Sequence, residues 1–301
     1  MNNLKSKFSF VLAAVVIVVF SFSSLNAQKR IIVEKTFNVS AGQQLKVEAE
    51  GCDLKVDTWN KNIVEVKVYG NSRAEDKLDF EFEQTSDGVE VYAEKRGGFF
   101  GSWFSSIQCR IEVMVPEKFD AYVKTSGGDI LLDNLEGEIE VKTSGGDIDL
   151  KNTIGSLYAG TSGGDVLANN HKGDSRLSTS GGDIKARDLV GDVKASTSGG
   201  DIELFVKNAK VEAHTSGGDI DVDLAGPNKG IELGTSGGDI NLTVPKDIKG
   251  DFDLKASGGR VYCDLDATKV YRDSKRNFEA EINGGGERVY CKTSGGDVEV
   301  K

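Results

Sequence analysis

Aspartate is the residue type whose spacing in this sequence could do chemistry. It recurs at the end of the motif Thr-Ser-Gly-Gly-Asp, which is followed by Ile or Val. Calcium takes several carboxylate and carbonyl oxygens as ligands, so a row of aspartates could hold this cation. Seven aspartates of the motif are the candidate calcium ligands: Asp129, Asp147, Asp165, Asp183, Asp201, Asp219 and Asp239.

The motif also differs from the nonapeptide calcium repeat. In that repeat the aspartate stands two residues before the apolar position, whereas each aspartate here directly precedes Ile or Val. A carboxylate beside a turn can instead accept hydrogen bonds from the N–H groups of that turn. We therefore expect backbone hydrogen bonding to be the main role of the column and keep calcium as the alternative hypothesis. No other cofactor is predicted.

The sequence predicts no catalytic residues. Catalysis needs one non-equivalent set of groups with separated pKa values, whereas these acids are copies in one row. The two histidines, His171 and His214, belong to different repeats and are predicted to face solvent. A non-enzymatic protein is favoured. The alternatives are a polysaccharide-acting enzyme with its site at residues 264–281, and an accessory or sensor module of an envelope regulatory system.

The elements that position these aspartates follow from the repeat. The motif returns every 18 residues from Thr125 to Thr215, and a fixed period indicates stacked units. Within each repeat, apolar residues alternate with polar ones, as in half-buried strands. The sequence thus predicts an all-β protein, a parallel β-solenoid of about 18-residue coils with two arms each. An antiparallel sandwich of short hairpins is the competing architecture. The Gly-Gly pair is predicted to form the corner between the arms through positive φ angles.

The chain divides into three predicted segments. Residues 1–27 have two lysines, an apolar stretch of 15 residues and a small residue at the end, which is typical of a signal peptide. An uncleaved anchor is the alternative, although a spanning helix needs about 20 apolar residues. Residues 28–118 are predicted to form an N-terminal β cap, and residues 119–301 the solenoid, with an insertion at 264–281. The glycine- and aromatic-rich stretch 95–106 is interpreted as a loop over the core of the cap. A membrane- or ligand-contacting tip is the alternative.

Four cysteines remain after the predicted leader. An exported protein can form disulfides, and strand alternation places all four side chains on inward faces. Taking residues 264–281 as an insertion between the two arms of one coil, we expect the pairs Cys52–Cys109 and Cys263–Cys291. Reduced, buried cysteines are the alternative.

The formal charge is −11, which argues against nucleic acid or anionic lipid as partners. After cleavage of the leader the protein is predicted not to span a membrane and to be periplasmic, secreted or on the outer surface. Its ligand is not predicted; a surface glycan or an envelope protein are the candidate partners. The outward positions of one face have mixed chemistry: Tyr158, Arg176, Lys194, Glu212, Glu232 and Lys255.

Longer segments support a family resemblance. The stretches VDTWNKNIVEVKV, VMVPEKFDAYVKTSGGDI and INGGGERVYCKTSGGDVEV flank or contain the motif. In these segments the chain resembles the bacterial putative-adhesin family, domain of unknown function 4097, over almost all of the mature sequence. The resemblance implies a β-solenoid in the cell envelope and supplies no catalytic residues.

Overall fold

The computed structural model describes residues 30–96 and 107–301. The predicted signal peptide at 1–27 and most of the aromatic loop at 95–106 lie outside the described residues. Within the described ranges the regular structure is β-strand, apart from one short helix, α1 (Ser72–Lys77), which Asn71 caps by accepting the Ala74 N–H. The all-β prediction is confirmed.

The strands form three groups along the chain. The N-terminal group contains β1 (Arg30–Asn38), β2 (Gln44–Ala49), β3 (Asp53–Trp59), β4 (Ile63–Gly70), β5 (Leu78–Gln84), β6 (Gly88–Lys95) and β7 (Cys109–Pro116). The central group contains β8 (Asp120–Thr125), β9 (Ile130–Asp133), β10 (Glu136–Lys142), β11 (Ile148–Gly160), β12 (Val166–Lys172), β13 (Ser175–Ser178), β14 (Ile184–Val190), β15 (Val193–Ser196), β16 (Ile202–Lys207), β17 (Val211–His214), β18 (Ile220–Ala225), β19 (Ile231–Thr235) and β20 (Ile240–Thr243). The C-terminal group contains β21 (Gly250–Ala256), β22 (Val261–Cys263), β23 (Ala267–Ser274), β24 (Asn277–Ile282), β25 (Arg288–Thr293) and β26 (Val298–Val300).

Each coil consists of a first arm, the Gly-Gly corner and a second arm. In one coil, β13 is the first arm and β14 the second. β13 pairs in parallel with β15 and with the end of β11, while β14 pairs in parallel with β12 and β16. The register advances by one repeat per coil, so Ile148 pairs with Val166 and Val166 with Ile184. The predicted parallel β-solenoid with two-arm coils is confirmed.

Apolar side chains from the two arms fill the space between the two sheets. One column of the second arm is buried in every coil and contains Ile130, Ile148, Val166, Ile184, Ile202, Ile220 and Ile240. Burying one such side chain contributes roughly 1.5–3 kcal/mol. Because side chains alternate along a strand, the residues between the buried ones face outward. These outward columns are the surface available for function.

The N-terminal strands continue the solenoid. β2 and β3 pair in parallel with β8 and β9, and β6 and β7 add a further coil beyond them. The ladder therefore crosses the predicted boundary at residue 118 without interruption. Three antiparallel strands complete this end: β5 pairs with β6, β4 with β7, and β1 with β4. Strands β5 and β4 cover the edges of the terminal parallel strands β6 and β7. An uncovered edge at the end of the stack could pair with strands of other chains.

At the C-terminal end the spatial order of the coils differs from their order in sequence. The last coil, β25–β26, lies between β19–β20 and β21–β22. The hairpin β23–β24 follows β22 and pairs antiparallel with β21. The residues predicted as an insertion between the arms of one coil thus connect two complete coils. This hairpin covers part of the end of the solenoid.

The Gly-Gly corner has a different physical basis from the one predicted. None of these corner glycines has a φ angle in the left-handed region. The second glycine is required because the coils stack closely: a Cβ on Gly164 would lie 2.1 Å from the Gly146 carbonyl oxygen. Positive φ occurs instead at the opposite half-turn, where Gly155 and Gly173 have φ of 123° and 135°. Close approach between coils, and not turn geometry, selects glycine in the motif.

Candidate binding face and its supporting ladders

The motif aspartates form a hydrogen-bonded ladder along the solenoid. Oδ1 of Asp129 accepts the backbone N–H of Asp147 at 2.9 Å, and Oδ1 of Asp147 accepts that of Asp165 at 2.8 Å. The same contact continues through Asp183, Asp201, Asp219, Asp239 and Asp297 and ends on the N–H of Arg260. Each carboxylate therefore satisfies a backbone donor that the corner removes from the sheets.

The motif threonines form a second ladder beside the aspartates. Thr161 Oγ1 donates to the Gly146 carbonyl oxygen at 2.9 Å, and Thr179 Oγ1 donates to that of Gly164 at 2.8 Å. Threonine and aspartate thus connect each corner to the preceding one. The structure brings the seven predicted aspartates into one row, one per coil. In residues 30–96 and 107–301, no group of three or more His, Cys, Asp or Glu side chains is arranged to hold a metal. Calcium binding stays a prediction.

The opposite half-turn has an asparagine column that the sequence analysis missed. Asn134, Asn152 and Asn170 have φ between 52° and 62°, in the left-handed region. Asparagine tolerates this region because its short side chain bonds locally. Asn170 Nδ2 donates to Asn152 Oδ1 at 2.8 Å, which links neighbouring coils. The 18-residue spacing of these residues was the available sequence signature.

The cysteines behave differently at the two ends. Cys52 and Cys109 form a disulfide, whereas Cys263 and Cys291 are free. The expected second pair is wrong because its cysteines lie on different sheets of the solenoid. Cys263 ends the second arm β22, where it pairs with Val300, whereas Cys291 lies on the first arm β25, where it pairs with Leu254. Burial raises the pKa of the Cys291 thiol, which keeps it protonated and unreactive.

His171 was predicted to face solvent, and the structure places it in the core. Its ring is fully buried, and Nδ1 lies 2.9 Å from Thr153 Oγ1 on the adjacent coil. Burial lowers the pKa of His171, since the charged form would lose its hydration. His214 is exposed, as predicted. The two rings do not form a common site, because they belong to opposite arms of coils that are not adjacent.

The candidate binding site is the outward face of the first arms, which we call the first-arm face. One column of this face contains Lys46, Tyr122, Glu140, Tyr158, Arg176, Lys194, Glu212, Glu232, Tyr290 and Asp253. A parallel column contains Glu48, Lys124, Lys142, Gly160, Ser178, Ser196, His214, Gly234, Lys292 and Lys255. The predicted outward residues all belong to these two columns, with Lys255 in the second.

Two glycines of this face lie beneath rings. A Cβ on Gly160 would lie 3.1 Å from the Tyr158 hydroxyl oxygen and 3.2 Å from its Cε1. A Cβ on Gly234 would lie 2.8 Å from His214 Nδ1. The Tyr158 ring therefore leans over the sheet at Gly160, which it buries. The Tyr158 side chain is half-buried in this position, and its ring is a candidate platform for stacking.

Charged groups on the same face are largely paired. Glu212 lies between Lys194 and Lys210, with carboxylate–ammonium distances of 2.7 and 2.6 Å. Hydrogen bonds from these two lysines lower the pKa of Glu212 to about 2. Exposed pairs of this kind contribute little to stability, but they fix the side chains in place on the surface.

A concavity of about 400 Å³ lies at the N-terminal end of the first-arm face. Its lining comes from β2, β8 and β10, and includes Lys46, Glu48, Tyr122, Lys124 and Lys142. Lys46 Nζ lies 3.0 Å from the Tyr92 hydroxyl and 3.3 Å from Glu48. Lys142 pairs with Glu140. The side chain of Lys124 has no ion pair or hydrogen bond within the part of the chain that the structure describes.

Fold and site together define the class of protein: a parallel β-solenoid whose repeated acids serve its own backbone and whose varied residues lie on an open face. The chain belongs to the Toastrack DUF4097 family, whose model matches residues 42–301. The resemblance stated from the motif is therefore confirmed. None of the curated proteins is significantly similar to this chain in sequence.

The solved structures that are similar to this chain include three proteins from two bacterial species. A putative adhesin from Parabacteroides distasonis ATCC 8503 is 14% identical, with a TM-score of 0.54, and the match covers 91% of this chain and 98% of that one. A putative adhesin from Bacteroides fragilis NCTC 9343 is 13% identical, with a TM-score of 0.43 and coverage of 92% and 100%. A putative lipid binding protein from Parabacteroides distasonis ATCC 8503 is 14% identical, with a TM-score of 0.48 and coverage of 89% and 96%. At 14% identity, the likeness to the first of these structures shows the fold alone.

No helix in residues 30–96 or 107–301 has the length and apolar character to span a bilayer.

Proposed function

We propose that this protein is an exported, non-catalytic binding protein of the cell envelope, and that its first-arm face binds an extended surface glycan. One observation carries the proposal: the Tyr158 ring leans over Gly160 on an open face with polar and charged neighbours. Sugars present both apolar ring faces and hydroxyl groups, so a tyrosine ring beside hydrogen-bonding side chains suits them.

The repeated architecture supports a polymer in preference to a small molecule. Parallel strands lie about 4.8 Å apart, so successive coils offer contacts at short, even intervals along the solenoid. Several weak contacts along one chain add up through effective concentration.

The aspartate ladder supports the non-catalytic part of the proposal. Each carboxylate already accepts a backbone N–H from the next coil, and its neighbours are chemically equivalent to it. A glycoside-cleaving site needs two carboxyl groups with different pKa values across a bound sugar. The leader with its two lysines and apolar stretch supports export.

The test is binding of the purified mature protein to glycans from bacterial envelopes, compared with Tyr158→Ala and Ser178→Ala variants. We expect Tyr158→Ala to weaken binding at least tenfold, because it removes the stacking platform. Ser178→Ala, on the adjacent coil of the same face, should change affinity less than threefold. Equal affinity for all three proteins would contradict the proposal for this face. Release of shorter glycan products over time would overturn the non-catalytic assignment.

A variant with a larger residue at position 160 tests whether the orientation of the tyrosine ring matters, apart from its presence. Gly160→Ala keeps the tyrosine but places a Cβ 3.1 Å from its hydroxyl oxygen. The ring must then shift by a few tenths of an ångström. Intermediate affinity for this variant would support a role for the orientation of the ring.

A further inference from the structure

We propose that the concavity lined by Lys46, Lys124 and Lys142 is an anion subsite that binds the carboxylate or sulfate groups of an acidic polysaccharide. This inference rests on the proposed function, because it names the class of glycan that the first-arm face takes. It assigns the recognition of charge to one end of that face.

The arrangement of the lysines carries the proposal. Lys124 and Lys142 are register partners on the parallel strands β8 and β10, so their backbones lie about 4.8 Å apart. Like charges opposite each other on neighbouring strands are destabilising. Lys142 is paired with Glu140, but Lys124 has no carboxylate within ion-pair distance in the described ranges. A bound anion would relieve this repulsion and complete the pairing of Lys124.

The charge balance inside the concavity also favours an anion. Glu48 and Glu140 are the acidic residues of its lining, and each is paired, with Lys46 and Lys142 respectively. Lys124 is the remaining charge, so the lining has a local positive excess within a chain whose formal charge is −11. Local charge, and not the total, decides contacts shorter than the Debye length of about 8 Å.

Aromatic groups beside the lysines favour a sugar over an acyl chain. Tyr122 lines the concavity, and Lys142 Nζ lies 4.9 Å from the centroid of the Tyr158 ring. The side chains that reach this concavity are charged or polar, because the side chain of Val123 is buried in the core. An acidic sugar can pair with lysine and stack on tyrosine, and the tyrosine ring suits a sugar better than an acyl chain.

A second lysine pair lies near the opposite end of the same face. Lys292 and Lys255 are register partners on β25 and β21, and Lys255 Nζ lies 5.3 Å from the Tyr290 ring centroid. Between the two lysine pairs the same column contains Gly160, Ser178, Ser196, His214 and Gly234. Six coil steps separate Lys142 from Lys292, which corresponds to roughly 29 Å. A long acidic chain that runs parallel to the solenoid axis would reach both pairs.

The experiment compares charged and neutral forms of the same polymer. Binding of the full mature protein to polygalacturonate and to its fully methyl-esterified form is measured at low and physiological salt, with dextran sulfate and dextran as the sulfate pair. We expect the acidic polymers to bind at least tenfold more tightly than their neutral partners, with the difference decreasing as salt rises. Lys124→Gln with Lys142→Gln should remove most of this preference.

A matched variant controls for total charge. Lys172→Gln with Lys246→Gln removes two exposed lysines that do not belong to the first-arm face, so it changes the net charge equally. It should bind acidic polymers as the unchanged protein does. Equal loss of affinity in both double variants would overturn the subsite, since it would reflect overall charge alone.

The remaining outcomes separate this inference from the proposed function. Binding of neutral and acidic glycans with equal affinity, sensitive to Tyr158→Ala but not to the lysine variants, would reject the anion subsite and keep the glycan face. No binding to any glycan would reject both. Lysine-dependent binding to vesicles of anionic phospholipid, without binding to the polysaccharides, would assign the concavity to a lipid headgroup and reject the polysaccharide.

Discussion

The corner ladder and the first-arm face differ in how strictly they repeat. In the corner, glycine, threonine and aspartate return in almost every coil, and each makes the same contact with the coil before it. On the first-arm face, the column that includes Tyr158 changes from coil to coil between aromatic, basic and acidic residues. Residues that repeat strictly are therefore those that stack one coil on the next. Variation within a fixed register indicates where recognition of another molecule can be encoded.

The strongest way to break the corner ladder is to add one carbon at its second glycine. Gly164→Ala would place a Cβ 2.1 Å from the Gly146 carbonyl oxygen and 2.5 Å from Asp147 Oδ1. We expect a loss of about 3 kcal/mol or more in the free energy of unfolding, because the coils must separate locally. Urea denaturation measures this loss.

The adjacent glycine supplies the matched control. Gly163 is in the same corner, but a Cβ there would lie 3.6 Å from its nearest neighbour. Gly163→Ala should change the free energy of unfolding by less than about 1 kcal/mol. Equal destabilisation by the two variants would show that turn geometry, and not close stacking, selects the glycine pair.

The disulfide closes the corner column at its N-terminal end. Cys52 stands where other coils have the second glycine, since its carbonyl oxygen accepts the Thr125 hydroxyl at 2.9 Å. A side chain is tolerated at this position because the Cys52 sulfur bonds to Cys109 on the next coil. Cys52→Ser with Cys109→Ser should lower the free energy of unfolding by about 2–4 kcal/mol, because the bond closes a long loop.

Reductant tests the other two cysteines in the same experiment. Dithiothreitol should shift the denaturation midpoint of the unchanged protein toward that of the double variant. It should leave the double variant unaffected, because Cys263 and Cys291 are unpaired. A shift of the midpoint in the double variant would show that Cys263 and Cys291 form the disulfide that the sequence predicted.

The aspartate ladder is expected to contribute a smaller amount per residue. Asp165 Oδ1 accepts the Asp183 N–H at 2.8 Å. Asp165→Ala should cost about 1 kcal/mol, whereas Asp165→Asn retains a carbonyl acceptor and relieves repulsion between neighbouring carboxylates. Thermal denaturation measures both effects. A calcium-dependent rise in Tm that Asp165→Asn removes would instead support the calcium hypothesis.

The smallest expected effect is the pH dependence from His171. Its pKa in the folded protein is lowered by burial, below the value of about 6.5 expected in the unfolded chain. The unfolded chain therefore binds more protons between these two values. Stability is complete above about pH 6.5 and declines as the pH falls from there toward the folded pKa.

A double variant isolates this contribution. Thr153→Val with His171→Leu removes the buried pair without leaving an unpaired hydroxyl. Its free energy of unfolding should fall less than that of the unchanged protein between pH 7 and pH 5. Parallel pH profiles would show that His171 becomes protonated without loss of its buried position.

The sequence by itself determined the repeated part of this protein. A fixed 18-residue period with alternating apolar residues specifies parallel arms in register, because a one-residue slip would turn each inward side chain outward. The aspartate ladder was predictable for the same reason, since an acid beside each corner meets the same backbone donor in each coil. The Cys52–Cys109 contact also followed from residues on inward faces.

Only the tertiary structure decided the order of the coils at the C-terminal end and the features that depend on it. The placement of β25–β26 between β19–β20 and β21–β22 depends on long-range pairing, which local periodicity does not encode. The placement of Cys263 and Cys291 on two neighbouring coils, and not on one coil, follows from that order. Burial of His171, the true reason for the glycine pair and the lysine concavity also arise where one coil meets the next. Contacts between coils are set by stacking distance and register, and those quantities exist only once the chain has folded.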